Sequence, residues 1–140
     1  METINPNKKF VAVLNKNVPQ GIVMNALAHM AACLAAKYHN IAEMSFIDYI
    51  DKDENKHPVS ALTFIILEGN SNKIRTLRNE AIAHGAHFVD FTNTMIQDTY
   101  AEQLERTKNT SETELEYYGI CLFGDKPVLN ELTKKFSLWK

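Results

Sequence analysis

The sequence predicts a protein of the α/β class, on three observations. Short apolar runs alternate with segments of helical periodicity along the whole chain. The run over residues 9–15 is mostly apolar, which is typical of a central strand. No linker separates two parts, and a length of 140 residues suits one core, so we expect residues 1–140 to form a single domain.

The longest predicted element is a helix over residues 20–38, which is apolar on nearly every side. A surface helix would show a polar half, so we expect this helix to be buried between other layers. Its polar side chains Asn25, His29 and Cys33 recur every four residues, which places them on one face. We expect a binding site near this polar face or near the start of the helix.

The start of the helix follows a polar loop. Pro19 suits a first helical turn, and Gly21 would let the backbone come close to a ligand. Lys16, Asn17 and the first helix amides could hold an anion, with the helix dipole contributing roughly 0.3–1 kcal/mol. A plain strand-to-helix loop would have the same composition.

The middle of the chain alternates extended and helical segments. We expect a strand over residues 44–51, and an interior strand over Ser60–Leu67 that pairs with it as a hairpin. Ser71 is placed to cap the next helix, which Gly85 ends. No internal repeat is visible.

Residues 87–94 are predicted to form a strand in which Asp90, Thr92 and Thr94 share one face. The polar stretch over residues 97–116 predicts a mobile excursion that covers something and carries a short helix at Tyr100–Arg106. The chain is expected to close with one strand and one amphipathic helix, at residues 117–123 and from Pro127 through Phe136.

Charge and composition limit the partners. Seventeen acidic residues against fifteen Lys and Arg give a formal charge of −2, so we expect no nucleic-acid partner. Both cysteines, Cys33 and Cys121, lie in apolar runs, which favours small buried residues in a reducing cytoplasm over a disulfide. Asn25 and His29 interrupt the longest apolar run, so we expect no export signal and no membrane span.

This order of elements resembles the type II peptidyl-tRNA hydrolase superfamily, and within it a branch of small bacterial proteins with no assigned function. The shared features are an apolar first strand, a Gly-led helix with a His nine residues from its start, an Asp-x-x-x-Thr at the end of a late strand, and a closing strand with an amphipathic tail. The resemblance covers nearly the whole chain. It implies a three-layer α/β/α sandwich with a mixed sheet of four or five strands, and it makes a homodimer plausible.

Four residues fall on positions of the hydrolase pattern. Gly21 and His29 match the glycine and the histidine of its helix, and Asp90 and Thr94 match the acid and the threonine of its late strand. The resemblance implies that Asp90 orients His29 or holds a water, and the alternative is that Asp90 caps the turn after its strand. The functional role is favoured, because a carboxylate on the same strand face as Phe88 would be costly without a partner. His29 could be a general base, or a buried histidine that bonds only to backbone.

Other positions depart from the pattern. Ile22 stands where the hydrolases place a lysine, and Ala26 replaces their helix glutamine. Phe91 and Thr92 replace an alanine-glycine pair. An ammonium that could hold a phosphate or polarise a carbonyl has become a branched hydrocarbon, which argues against the parent reaction.

Two classes of function remain open. In the first, the protein is a non-catalytic binder of a small molecule or anion, with a polar pocket made of Lys16, Asn17, Gly21, Asn25 and Thr92. In the second, Asp90, Thr94 and His29 surround an activated water and hydrolyse an ester or amide. We expect no cofactor, and no metal, because His84 and His87 lack a third ligand nearby in the sequence.

Overall fold

The structure is a computed structural model that describes residues 7–40 and 44–140. Its helices are α1 (Gln20–Lys37), α2 (Ser71–Ala83), α3 (Tyr100–Lys108) and α4 (Lys126–Thr133). Its strands are β1 (Lys8–Asn15), β2 (Phe46–Ile50), β3 (Lys56–Ser60), β4 (Thr63–Gly69), β5 (His87–Thr92), β6 (Tyr117–Asp125) and β7 (Ser137–Leu138).

A mixed five-stranded sheet in the order β5–β6–β1–β4–β7 forms the middle layer. Strand β1 is central, as predicted, parallel to β4 and antiparallel to β6. Strand β5 is antiparallel to β6 and lies at one edge of the sheet. The strands β1 and β5 therefore run in the same direction, and their carboxyl ends lie at the same end of the sheet.

Helices cover both faces of this sheet. On one face α1 packs against the alternate β1 residues Phe10, Ala12 and Leu14, and on the other face α2 and α4 pack against Val11 and Val13. This alternation is the period-2 pattern of a strand buried on both sides. The three-layer α/β/α sandwich with a mixed sheet is thereby confirmed.

Helix α1 has the predicted extent, but it is not buried between layers. Only Val23, Ala26, Met30 and Leu34 are fully buried, and their spacing of three or four residues marks the single face that contacts the sheet. The alanines on its outer side include exposed Ala28, Ala32, Ala35 and Ala36. The prediction that α1 is buried on all sides was wrong because many of its apolar residues are alanines. Alanine favours a helix whether or not its side chain is buried.

The predicted hairpin is also corrected. Strand β2 pairs with β3, and β4 instead enters the main sheet beside β1. A bend at Ala61 and Leu62 separates β3 from β4, and Leu62 anchors it because its side chain is buried in the core on the α1 face. The expectation of an interior strand holds for β4, which lies between β1 and β7.

Two element ends differ from the predictions. Asn70 caps α2 by accepting from the Lys73 amide at 2.9 Å, whereas the Ser71 hydroxyl accepts from the amide of Tyr117. At the other end Gly85 has a φ of 65°, as a helix-ending glycine requires. The closing helix stops at Thr133, and the short strand β7 then pairs with β4.

Within residues 7–40 and 44–140, no helix has the length and apolar character needed to cross a membrane.

Candidate functional site

A cleft of about 710 Å³ lies between α1 and α3 beside the edge strand β5. Its lining combines residues of both helices, of β5 and of the connection that joins β5 to α3. They are Asn25, His29, Met30, Cys33, Val89, Asp90, Phe91, Met95, Ile96, Gln97, Tyr100, Gln103, Leu104 and Thr107.

The α1 wall carries the polar side chains singled out by their spacing. Asn25, His29 and Cys33 are all exposed, and all three line the cleft. These three residues lie on one side of α1, because they are four residues apart. Since Ala26 and Met30 pack against the sheet, this polar side faces β5 and α3. The expectation that Cys33 is buried is corrected, because its thiol lies on an open wall of the cleft.

The floor of the cleft is apolar. The rings of His29 and Phe91 lie with their centroids 6.1 Å apart and their planes at 27°. Met30 reaches the sheet over Gly119, where an added Cβ would lie 2.7 Å from Met30 Cε and 3.3 Å from the Val13 carbonyl oxygen. Gly119 thus leaves the room in which Met30 of α1 packs against β6.

The α3 wall presents apolar side chains that are largely exposed. Tyr100 and Leu104, one turn apart, line the cleft with 77% and 55% of their surface exposed. Helix α3 has no buried residue at all. Its position therefore depends on polar contacts rather than on core packing.

Those polar contacts come from Arg106 and Thr107. The Arg106 guanidinium donates to the carbonyl oxygens of Thr94 at 3.2 Å and Ile96 at 2.7 Å, and it pairs with Asp98 at 2.9 Å. The Thr107 hydroxyl lies 2.8 Å from the hydroxyl of Thr94. Helix α3 is in this way fastened to the connection that precedes it.

The same connection holds unusual backbone. Gln97 and Asp98 have φ angles of 61° and 64°, the left-handed region that a residue other than glycine occupies at a cost of roughly 1–2 kcal/mol. The Gln103 side chain donates to the Gln97 carbonyl oxygen at 2.8 Å, which helps to hold this turn. The turn directs the chain back across the cleft as α3.

Asp90 reaches the cleft without presenting its carboxylate there. That carboxylate accepts from Arg78 Nε at 2.8 Å, and Arg78 also lies over the ring of Phe88 on the α2 face of the sheet. His29 lies on the α1 face. The expected cluster of Asp90, Thr94 and His29 around one water is therefore corrected, since the sheet separates the acid from the imidazole.

The two threonines of that strand bond to each other. Thr92 pairs with Tyr117 as Asp90 pairs with Ile120, so Thr92 continues the face of Asp90, and the register shift after Phe91 leaves Tyr118 of β6 unpaired. Thr94 lies beyond the strand in the 3₁₀ turn over Asn93–Met95, so the strand alternation does not extend to it. The two hydroxyls lie 2.8 Å apart and both residues are buried. Neither Thr92 nor Thr94 lines the cleft; their role here is to support Thr107, which does.

The amino end of α1 does not form a shared site with the cleft. Lys16 and Asn17 are exposed, and their amides bond to the Gly69 carbonyl and the Asn15 side chain. A Cβ added to Gly21 would meet nothing within 4 Å, so no neighbour requires a glycine there. The ligand set predicted from sequence is thus divided, with Asn25 in the cleft and these three residues outside it.

Buried Asn15 organises the loop instead. Its side chain donates to the Tyr117 carbonyl oxygen at 2.8 Å and accepts from the Asn17 amide at 2.9 Å. Sequence reasoning missed this residue because a polar residue at a strand end is also typical of an ordinary turn.

The electrostatics of the cleft are close to neutral. None of the described residues that line it is Lys or Arg, and its one carboxylate, Asp90, is paired on the other face. Across the described parts of the chain, no three His, Cys, Asp or Glu side chains are grouped to hold a metal ion. In contrast to Cys33, Cys121 is in the core, where burial raises its pKa to about 12.

Sequence reasoning also missed the α3 residues that line the cleft. Tyr100 and Leu104 have the i, i+4 spacing of an apolar stripe, which is the signal that could have identified them. The polar composition around them concealed that stripe. Met95 and Ile96 lie in the same surroundings and were overlooked for the same reason.

Comparison with known proteins agrees with an α/β sandwich and identifies a family. The chain belongs to the family described as protein of unknown function (DUF2000), whose model matches residues 8–140. It is similar to the solved structure of a protein of unknown function from Agrobacterium tumefaciens, at 15% sequence identity and a TM-score of 0.80, over 96% of this chain and 98% of that chain. At that identity the likeness shows the fold alone. No curated protein matches the chain.

Proposed function

We propose that this protein binds a neutral, largely apolar small molecule in the cleft between α1 and α3, without catalysing its conversion. The cleft volume of about 710 Å³ lies within the range of roughly 300–1,000 Å³ that is usual for such sites. Apolar side chains dominate its lining, and a few uncharged polar groups, among them Asn25, Gln103 and Thr107, could orient a ligand.

The observation that carries this proposal is the exposure of Tyr100 and Leu104 inside a concavity. A helix with no buried residue keeps these two side chains exposed in a cleft that Phe91 and Met30 also line. Fully burying a large apolar side chain contributes about 1.5–3 kcal/mol, so covering the exposed half or more of each would contribute about 1–2 kcal/mol. A ligand in the cleft would therefore bind and hold α3 in place at once.

The test uses the neutral fluorescent probe N-phenylnaphthylamine. Wild-type protein should enhance its fluorescence saturably, and Leu104→Asp should weaken binding by at least about tenfold because it places a carboxylate in the apolar wall. Ile82→Asp is the matched control, since Ile82 is 53% exposed on α2 and does not line the cleft. Equal affinity in both variants, or no saturable binding in the wild type, would refute the proposal.

An anionic ligand has less support than a neutral one. Lys16 and Asn17 are outside the cleft, and neither Lys nor Arg is among the described residues that line it. A negatively charged molecule would lose its hydration there without gaining an ion pair. Adding inorganic phosphate should therefore leave binding of N-phenylnaphthylamine unchanged.

The alternative is a hydrolase related to the type II peptidyl-tRNA hydrolases. This alternative requires the Asp90 carboxylate to act together with His29. Ile22 packs against the apolar core at the position of the hydrolase lysine, and Arg78 holds the Asp90 carboxylate on the face away from His29. Asp90→Asn should lower the melting temperature, because it weakens a part-buried pair, and should leave probe binding within about twofold. Loss of an ester-cleaving activity in Asp90→Asn at unchanged melting temperature would favour the hydrolase.

A further inference from the structure

The cleft has a wall of main chain as well as walls of side chains. Asp90 is one of its lining residues, yet the Asp90 carboxylate bonds to Arg78 on the opposite face of the sheet. The part of Asp90 that reaches the cleft is therefore its backbone. Its neighbours Val89 and Phe91 line the cleft as well, so a continuous three-residue length of β5 borders it.

This length of β5 belongs to the outer strand of the sheet. One side of β5 pairs with β6 through the whole strand, from His87 opposite Phe123 to Thr92 opposite Tyr117. On its other side, no main-chain partner lies within the described part of the chain. An edge strand in this position presents unpaired N–H and C=O groups at alternate residues, which form a template for a further strand.

We propose that the ligand of the cleft is an extended, uncharged peptide segment that adds to β5 as a sixth strand. This assignment rests on the ligand-binding cleft of the proposed function, and it takes a short uncharged peptide as the ligand in place of a smaller apolar molecule. The occupant would exchange main-chain hydrogen bonds with β5 and place alternate side chains among Phe91, Met30 and Leu104 on the α1 face.

The side-chain walls fit such an occupant. No Lys, Arg, Asp or Glu is among the described residues of the two helical walls, so a segment without charged residues avoids uncompensated desolvation. Asn25 and Gln103, on opposite walls, carry amides that can both donate and accept, which suits the outward-facing peptide groups of an added strand. A purely hydrocarbon ligand would offer no hydrogen bond to Asn25 or to the β5 edge.

The test compares three forms of one probe, a hexapeptide of alternating valine and threonine with acetylated and amidated ends. One form is unmodified, and two carry N-methyl groups on alternate backbone amides, on the valines in one and on the threonines in the other. Strand addition directs only one of these sets towards β5. We expect one methylated form to lose at least about tenfold in affinity, and the other to stay within about threefold of the parent peptide.

Hydrogen exchange of the β5 amides supplies an independent readout. The parent peptide should slow exchange at alternate residues of β5 and leave α2 and α4 unaffected. The Leu104→Asp variant should lose this protection, and the Ile82→Asp variant should keep it. Equal losses for both methylated peptides, or unchanged β5 exchange at saturation, would overturn strand addition.

The outcomes also separate this inference from the proposed function. One outcome is that N-phenylnaphthylamine binds, that Leu104→Asp abolishes this binding, and that the parent peptide does not bind. This outcome would support a small-molecule site in the cleft and exclude the peptide as its ligand. If neither probe binds in a way that depends on Leu104, both proposals fail.

Discussion

Replacing Arg106 by alanine should release α3 without unfolding the protein. The guanidinium joins α3 to the connection before it through carbonyl oxygens of Thr94 and Ile96 and through the Asp98 carboxylate. Because α3 buries no residue of its own, few other interactions oppose its opening. The cost of the substitution should therefore fall on local opening rather than on global stability.

The magnitude follows from the geometry of these bonds. The bond to Ile96 is short at 2.7 Å, and a charged donor to a carbonyl contributes about 1.5–3 kcal/mol. The contacts to the Thr94 oxygen at 3.2 and 3.3 Å are long, and the ion pair with Asp98 is 36% and 49% exposed, so each adds little. A total of about 2 kcal/mol corresponds to about 30-fold in the opening equilibrium.

Native-state hydrogen exchange measures this quantity directly. In Arg106→Ala the amides of α3 should exchange about 30-fold faster, and those of β1 should change by less than about twofold. Arg106→Lys is the control, because it keeps the charge near Asp98 but cannot bridge two carbonyl oxygens. Its α3 amides should therefore exchange nearly as fast as those of Arg106→Ala. Unchanged protection of α3, or an equal acceleration in β1, would refute the reasoning.

Three further predictions concern the core and the titrating groups. Gly119→Ala should lower the free energy of unfolding by about 1–3 kcal/mol, because its Cβ would meet Met30. Gly21→Ala, where the added Cβ meets no neighbour, should raise the free energy of unfolding by about 0.5–1 kcal/mol. Urea titrations that rank the two variants in the opposite order would contradict this packing. Dithionitrobenzoate should modify one thiol, Cys33, in native protein and reach the second only after denaturation, so two fast thiols would argue against the buried position of Cys121. Burial and a hydrogen bond to Glu112 raise the pKa of Tyr117 from 10.0 to about 12. The contribution of Tyr117 to stability is therefore complete below pH 10 and is lost as the pH rises through about 12. Urea titrations at each pH should show this loss in the wild type and not in Tyr117→Phe.

Elements with local signals were predictable from the sequence. The apolar run of β1, the helix α1 and the spacing of its polar side chains depend only on residues near one another, and each is present. The helix α3 was placed within two residues of its end. The extent of each of these elements depends on neighbouring residues alone, although the pattern did not show which sides of α1 and α3 face the sheet and the cleft.

Long-range pairings were beyond this reasoning. The segment expected to pair with β2 joins β1 instead, and the choice depends on where the bend at Leu62 is buried. The two-residue strand β7 is too short to show a pattern. The partner of Asp90 lies twelve residues away on α2, and only the packing of that helix brings Arg78 to it. The polar residues of α1 therefore indicated the candidate cleft, whereas the predicted position of the Asp90 carboxylate beside His29 was wrong.

Nuclear magnetic resonance mapping of N-phenylnaphthylamine on isotope-labelled protein tests the central claim most directly. At saturation, the largest shifts should fall on amides and side chains of His29, Phe91, Tyr100 and Leu104, which surround the cleft. Amides of α2 and α4, on the other face of the sheet, should stay within the noise of the measurement. Shifts concentrated on the hairpin of β2 and β3, or on α2 and α4, would contradict a ligand site between α1 and α3.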